Sequence, residues 1–318
     1  DVKKRKVSVI KTTKSILTGG APILASDSRR VINLSVSLLA AGVFALTAVM
    51  AWSAYRELAA ANRTMLINSM ADKLIRSAVL TAVERGLTSG ALGAKHTASA
   101  SLQQKIHDLR EESDATWREA LALARTAAPK MPSDSGFPQV IEHAVQSYEV
   151  LENTRRRVDT GLQKRENSVG AAEWITTASH FIEDTVRIRE AAFNASDAPH
   201  VISETIMIVR TRAWTMSEYA GIERGTLAFY ISGRLPVPPE VLDDLKSYRG
   251  VVNHAHQTLQ DMRHVPDINP AIQRSMDAME QEFTGRFGRI RASAYAAAAP
   301  GHYPMSGDTW MASATAAI

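Results

Sequence analysis

The sequence predicts an all-α protein: one N-terminal transmembrane helix leads into two consecutive antiparallel four-helix bundles, the last helix cut short. Three observations lead there. The 318 residues hold only 17 Gly and 12 Pro, and prolines cluster at Pro129, Pro132 and Pro138 and again at Pro236, Pro238 and Pro239. Long stretches between these clusters lack helix breakers. Residues 31–55 carry no charge at all. Short motifs also recur in the same order at shifts of 132 to 139 residues, which points to a duplicated unit.

Charge is unevenly spread. Residues 1–30 hold eight Lys and Arg against Asp1 and Asp27, a net +6. The whole chain is +4, so residues 31–318 carry −2. The pI of 9.3 therefore belongs to a tail. The body lacks the basic face that phosphate recognition needs, and nucleic acid is excluded as a partner. There is no cysteine, which removes disulfides, thiolate metal sites and a thiol nucleophile.

The stretch VINLSVSLLAAGVFALTAVMAWSAY, Val31 to Tyr55, exceeds the ~20 residues a helix needs to cross a bilayer. Arg29 and Arg30 flank one end, and Trp52 and Tyr55 sit at the other, where amphipathic rings favour the interface. The segment is too long and too far from the start for a cleaved signal peptide. With the basic tail inside, the expected order is a cytoplasmic tail (1–30), a transmembrane helix (31–55) in a bacterial inner membrane, and two periplasmic bundles (56–198 and 199–318).

Each repeat reads as four helices. In the first they run from about Glu57 to Leu92, from Ser101 to Ala128, through Val140–Val158 to near Gly161, and from Ala171 to Asn194. Apolar spacing such as Leu102, Ile106, Leu109, Trp117 and Leu121 supports them. The second repeat has His200–Ile231, a helix starting at Pro239, Ala271–Ala299, and a last helix capped by Asp308. Leu151–Val158 aligns with Phe283–Ile290, and Trp174–Ile182 with Trp310–Ile318. The last helix is short of a full bundle member, so a continuation back into the membrane is expected.

No catalytic signature is present, neither GxSxG, HExxH, a P-loop nor GxGxxG, and no enzyme activity or cofactor is expected. His254 and His256 are two apart on a helix, point ~200° away from each other and cannot clasp one metal ion. The Glu-Arg-Gly triplets stand out: Glu84-Arg85-Gly86 and Glu223-Arg224-Gly225 lie in apolar helical stretches. An arginine there needs an internal carboxylate or an anionic ligand, since an unpaired buried charge is costly. Both readings stay open on the residues alone.

Glu84-Arg85-Gly86-Leu87 with Leu92, its echo at Glu223-Arg224-Gly225 with Leu227, and Leu151 with Arg155, Arg156, Arg157, Val158 and Asp159 resemble the pattern of the nitrate- and nitrite-sensing (NIT) domain family. The resemblance implies an eight-helix, two-bundle sensor that binds nitrate or nitrite through arginines and feeds a chemotaxis, kinase or cyclic-dinucleotide output. Arg286, Gly288, Arg289 and Arg291 replace the third-helix motif in the second repeat. Receptors for small carboxylates look similar, and an anchored helical stalk for dimerisation or protein interaction is the rival without a ligand.

The expectation is a sensor in which Arg85 or Arg224 holds a small anion (nitrate, nitrite or a carboxylate), with Arg157 or Arg289 as second contacts, in a membrane-bound homodimer that serves chemotaxis. The guanidinium fork suits a planar anion. The topology is directly checkable. A reporter fused at Asp27 should be cytoplasmic and one near Ser135 periplasmic; the reverse labelling would overturn the orientation.

Overall fold

The structure, a computed structural model, describes residues 21–164, 169–195, 200–264 and 269–318. Most of the basic tail, the boundary at 198/199 and the connection around Pro266 lie outside the described residues. Among the described residues there is no strand. The chain divides into two compact units, Asp1–Ala61 and Asn62–Ile318.

The first helix, α1, spans Ala21–Gly93. Its apolar stretch has a mean hydropathy of 2.2 over 18 residues and buries none of them, so it is long and apolar enough to cross a membrane. Trp52 and Tyr55 stack at 6.1 Å between ring centroids, next to Arg56.

In the second unit, α1 is followed by α2 (Ala100–Ala127), α3 (Phe137–Lys164) and α4 (Ala171–Asn194). The side chain of Ser99 caps α2 by accepting from the Leu102 amide at 3.2 Å. The faces follow the helical period: α2 buries Ile106, Ser113, Trp117, Ala120 and Ala124, and α4 buries Trp174, Ala178, Phe181, Thr185 and Ile188. Residues of all four helices form one apolar core. At its centre Trp117 meets Phe181 edge-on at 5.2 Å.

A second core joins α5 (His200–Gly233), α6 (Pro239–Met262), α7 (Pro270–Met279), α8 (Phe287–Ala296) and α9 (Gly307–Ala317). Between α7 and α8 the segment Glu280–Arg286 is π-helical, so the single helix expected over Ala271–Ala299 carries a wider turn. The N-cap of α9 is Ser306, which accepts from the Thr309 amide at 3.1 Å; Asp308 sits in the first turn instead of the expected cap position.

Small residues let α1 and α5 come together. Gly86, Gly90 and Gly93 lie three and four apart on one face of α1. A Cβ on Gly225 would be 3.7 Å from the Gly86 Cα, and one on Gly93 would collide with the backbone carbonyl of Phe229. Ser89 fastens the crossing, its Oγ donating to the Gly225 carbonyl at 2.8 Å in a buried position. Gly93→Ala should therefore force the helices apart and cost about 1–3 kcal/mol, the usual penalty of overpacking. Gly90→Ala is the control. Its new Cβ meets nothing nearer than Ser232 Oγ at 3.4 Å, and alanine's helix propensity contributes up to ~1 kcal/mol. Melting curves of the two variants should move in opposite directions or differ by several degrees.

Candidate anion site at two buried arginines

Both Glu-Arg-Gly triplets lie where α1 meets α5, and all four of their charged side chains are buried. The arginines face one way. An idealised Cβ on Gly221 would lie 2.8 Å from Arg85 Nη2 and 3.9 Å from Arg224 Nη2, so the sum, 6.7 Å, bounds the separation of those nitrogens. Two like charges that close repel by roughly 2–3 kcal/mol at an effective dielectric near 20.

The two arginines have matching but separate partners. Arg85 Nη1 donates to Ser179 Oγ of α4 at 2.5 Å, and Arg224 Nη1 donates to Thr315 Oγ1 of α9 at 3.2 Å. The indole N–H of Trp174 donates to the Arg85 carbonyl at 3.0 Å, and that of Trp310 to the Arg224 carbonyl at 2.9 Å. These are the same contacts made twice. Going from Arg85 to Arg224 is a shift of 139 residues, and from Ser179 to Thr315 or Trp174 to Trp310 a shift of 136.

The charge balance is not repeated. Arg85 is held by Glu218, Nη1 at 2.5 Å and Nη2 at 3.2 Å from its two carboxylate oxygens. Among the described residues Arg224 has no carboxylate within 4.0 Å; its Nη2 donates to the Ala82 carbonyl at 2.6 Å and its Nε has no hydrogen-bond partner. Burial, and after it the positive charge of Arg85, push the Arg224 pKa down to about 10, against the pull of Glu218. At neutral pH Arg224 stays charged, so two guanidiniums face one carboxylate in a buried place.

The triplet glutamates form separate networks. Glu84, wholly buried, accepts from Arg155 Nη2 at 2.6 Å, Arg155 Nε at 3.1 Å and Arg110 Nε at 2.6 Å. Arg155 also reaches Asp114 at 2.7 Å and Arg110 reaches Asp159 at 2.6 Å. Burial acts to lower the Arg155 pKa, but Glu84 and then Asp114 outweigh it and hold the guanidinium firmly protonated. Glu223 is looser. Arg291 Nη1 stands 3.7 Å away, within ion-pair range but too far for a hydrogen bond, and burial raises the Glu223 pKa. Arg291 instead lies over Phe283, 4.8 Å from the ring centroid.

The profile of the family described as nitrate and nitrite sensing matches residues 80–318. The chain belongs to the nitrate- and nitrite-sensing family. Comparison with curated proteins and with solved structures gave no match. The NIT family is a sensor family rather than a catalytic one. Among the described residues no cluster of His, Asp and Glu could hold a metal ion.

Within this NIT domain the four arginines singled out from the sequence separate into two classes. Arg85 and Arg224 come together at the α1–α5 crossing. Arg157 and Arg289 are exposed, and Arg157 pairs with Glu173 at 2.6 Å on the surface. The buried third-helix arginines are Arg155 and Arg291, related by a shift of 136 rather than the 132 of the sequence alignment. The signal was in the period: Leu151, Arg155, Val158 and Leu162 share the buried face of α3, while Arg157 falls off it. An open groove of about 950 Å³ runs beside the site, lined by Val83, Leu87, Ala91, Met311 and Thr315, with Lys95 among its cations.

Removal of Arg155 leaves Glu84 buried with one partner fewer. Arg155→Ala should cost about 3–5 kcal/mol, whereas Arg157→Ala, which breaks an exposed pair, should cost at most ~1 kcal/mol. Urea titrations of both variants read the difference.

Proposed function

We propose that this protein is the sensor region of a transmembrane receptor of the bacterial inner membrane. A nitrate or nitrite ion bridges Arg85 and Arg224 in the periplasmic part, and binding is relayed through the membrane to a cytoplasmic output, chemotaxis being our choice. The reading rests on one observation above all. Arg224 is 2% exposed, carries a charge, and has no carboxylate within 4.0 Å among the described residues. Such a group is costly unless something anionic joins it. A planar ion suits the donors at hand, since guanidinium edges offer parallel N–H groups to two oxygens at once. Family membership supports nitrate and nitrite ahead of a carboxylate.

We also assign residues 56–198 and 199–318 to two copies of one helical bundle, from the recurrence of the Ser179/Thr315 and Trp174/Trp310 contacts. The ion would then sit where the copies meet, held by donors of both. A ligand that draws Arg85 and Arg224 together acts on α1 and α5 at once, and through Thr315 and Trp310 on α9. Differential affinity for two arrangements of these helices would be the signal. Arg157 and Arg289, being exposed, fit a role at the rim of the site or none in binding.

The detergent-solubilised chain should melt higher in nitrate or nitrite. At 100 times the dissociation constant the ligand contributes ~2.7 kcal/mol by mass action, or about 5–10 °C for a unit of this size. Arg224→Ala should abolish the shift with little loss of stability in the absence of anion, because it deletes an unpaired charge. Arg85→Ala should abolish the shift and also destabilise, because it strands Glu218. No shift in the parent, with Arg224→Ala badly destabilised, would make Arg224 a structural residue and end this reading; a shift with acetate but not nitrate would make the ligand a carboxylate.

A further inference from the structure

We propose that Glu218 sets the charge the site accepts, and that its presence on one repeat only makes the site selective for monoanions over dianions. The inference rests on the anion reading of Arg85 and Arg224 given above. It starts from a place where the repeated contacts fail to repeat. Arg85 and Arg224 correspond at a shift of 139, as do Gly86 and Gly225, and Ser179 corresponds to Thr315 at 136. By the same shift of 139, Glu218, the carboxylate that grips Arg85, corresponds to Val79. Val79 is 47% exposed and brings no charge.

The charges that act on Arg224 are those of Arg85 and Glu218, with no third charged group contributing appreciably among the described residues. Two cations and one anion leave a residual +1. One nitrate or nitrite brings the buried site to neutrality while Glu218 keeps its grip on Arg85. Sulfate or a dicarboxylate would leave −1 in the same low-dielectric place, or would have to expel Glu218 from a two-point ion pair; either way the penalty of an uncompensated buried charge returns. Had both repeats carried the carboxylate, the site would be neutral when empty and would offer an anion no net attraction. Had neither, it would favour a dianion. The asymmetry between Glu218 and Val79 thus tunes the site to a single negative charge. Glu218 is a specificity residue whose contact is with Arg85, not with the ion.

The test is isothermal titration of the detergent-solubilised full chain with nitrate and with sulfate at constant ionic strength, for the parent, Glu218→Gln and Val79→Glu. The parent should bind nitrate at least tenfold more tightly than sulfate. Glu218→Gln, with a residual +2, should shrink or invert that ratio by at least tenfold. Val79→Glu gives Arg224 the carboxylate that Arg85 already has, at a half-exposed position that tolerates the change. It should weaken nitrate at least tenfold and raise the melting temperature without anion. Should Glu218→Gln fail to fold, Val79→Glu decides alone. A nitrate-to-sulfate ratio within twofold of the parent in Glu218→Gln, or nitrate affinity unchanged in Val79→Glu, overturns the inference while leaving the nitrate site standing. A parent that binds neither anion overturns both.

Discussion

The packing of α1 on α5 puts two guanidiniums into a space where both are desolvated, and much of the unit is arranged around that constraint. Arg85 and Arg224 cannot be moved apart without changing the crossing itself, because each lies against the other helix where a glycine leaves room: Arg85 over Gly221 and Arg224 over Gly86. A methyl group at either glycine would meet an arginine nitrogen, at 2.8 Å from Arg85 Nη2 or 3.2 Å from Arg224 Nε. Glycine here serves close approach rather than backbone freedom. The same crossing supplies neutral acceptors, the Ala82 carbonyl and the hydroxyls of Ser179 and Thr315, which satisfy donors without cancelling charge.

The tryptophans tie this crossing to the two cores. Trp174 and Trp310 are wholly buried, yet each spends its one donor on the carbonyl of a triplet arginine. A backbone carbonyl inside a helix has a second lone pair free for such a bond. The indole then locks α4 to α1, and α9 to α5, at the level of the guanidiniums. Trp310 also packs on Phe287 at 5.3 Å, so the helix after the π-helical turn bears on the same place. A π turn rotates the residues downstream of it out of the α register. It stands just before Phe287 and Arg291; Arg291 is 3.7 Å from Glu223, whereas Arg155 closes to 2.6 Å on Glu84.

Much of this was legible in the sequence, and the limits have physical causes. Helix bounds were close because prolines and glycines punctuate them: Pro239 opens α6, Gly93 and Gly233 close α1 and α5, and α4 was placed at its observed residues. Arg85 and Arg224 stood out because a charge inside an apolar helical run has to be explained. Arg155 was passed over for Arg157, since a run of three arginines looks alike until the helical period is applied to each. The π turn left no trace, because a single extra residue per turn needs no special composition. Asp308 reads as the cap in the sequence, but Ser306 does the capping from just outside the first turn, and both residue types cap about equally well. Glu218 was invisible as a site residue, since nothing in a sequence says which carboxylate crosses between elements to meet which guanidinium.

What separates a sensor from a stalk is whether the fold stores an imbalance that a ligand can relieve. In the Glu84 network two arginines face three carboxylates, Glu84, Asp114 and Asp159, with Asp114 and Asp159 open enough to water to remain charged at little cost. That network meets its positive charges with its own carboxylates and has the character of a structural clasp. The Arg85–Arg224 pair is the opposite case. It is drier, carries an excess of positive charge, and leaves the Nε of both arginines without a hydrogen-bond partner. An anion bound there, as proposed, would gain from a field already in place and would offset the repulsion between the arginines. On the proposed reading, the free energy of binding acts on the α1–α5 crossing and, through Thr315, on α9, the elements a receptor would need to move. A site neutral before binding could have equal affinity for every arrangement of those helices and would shift none of them.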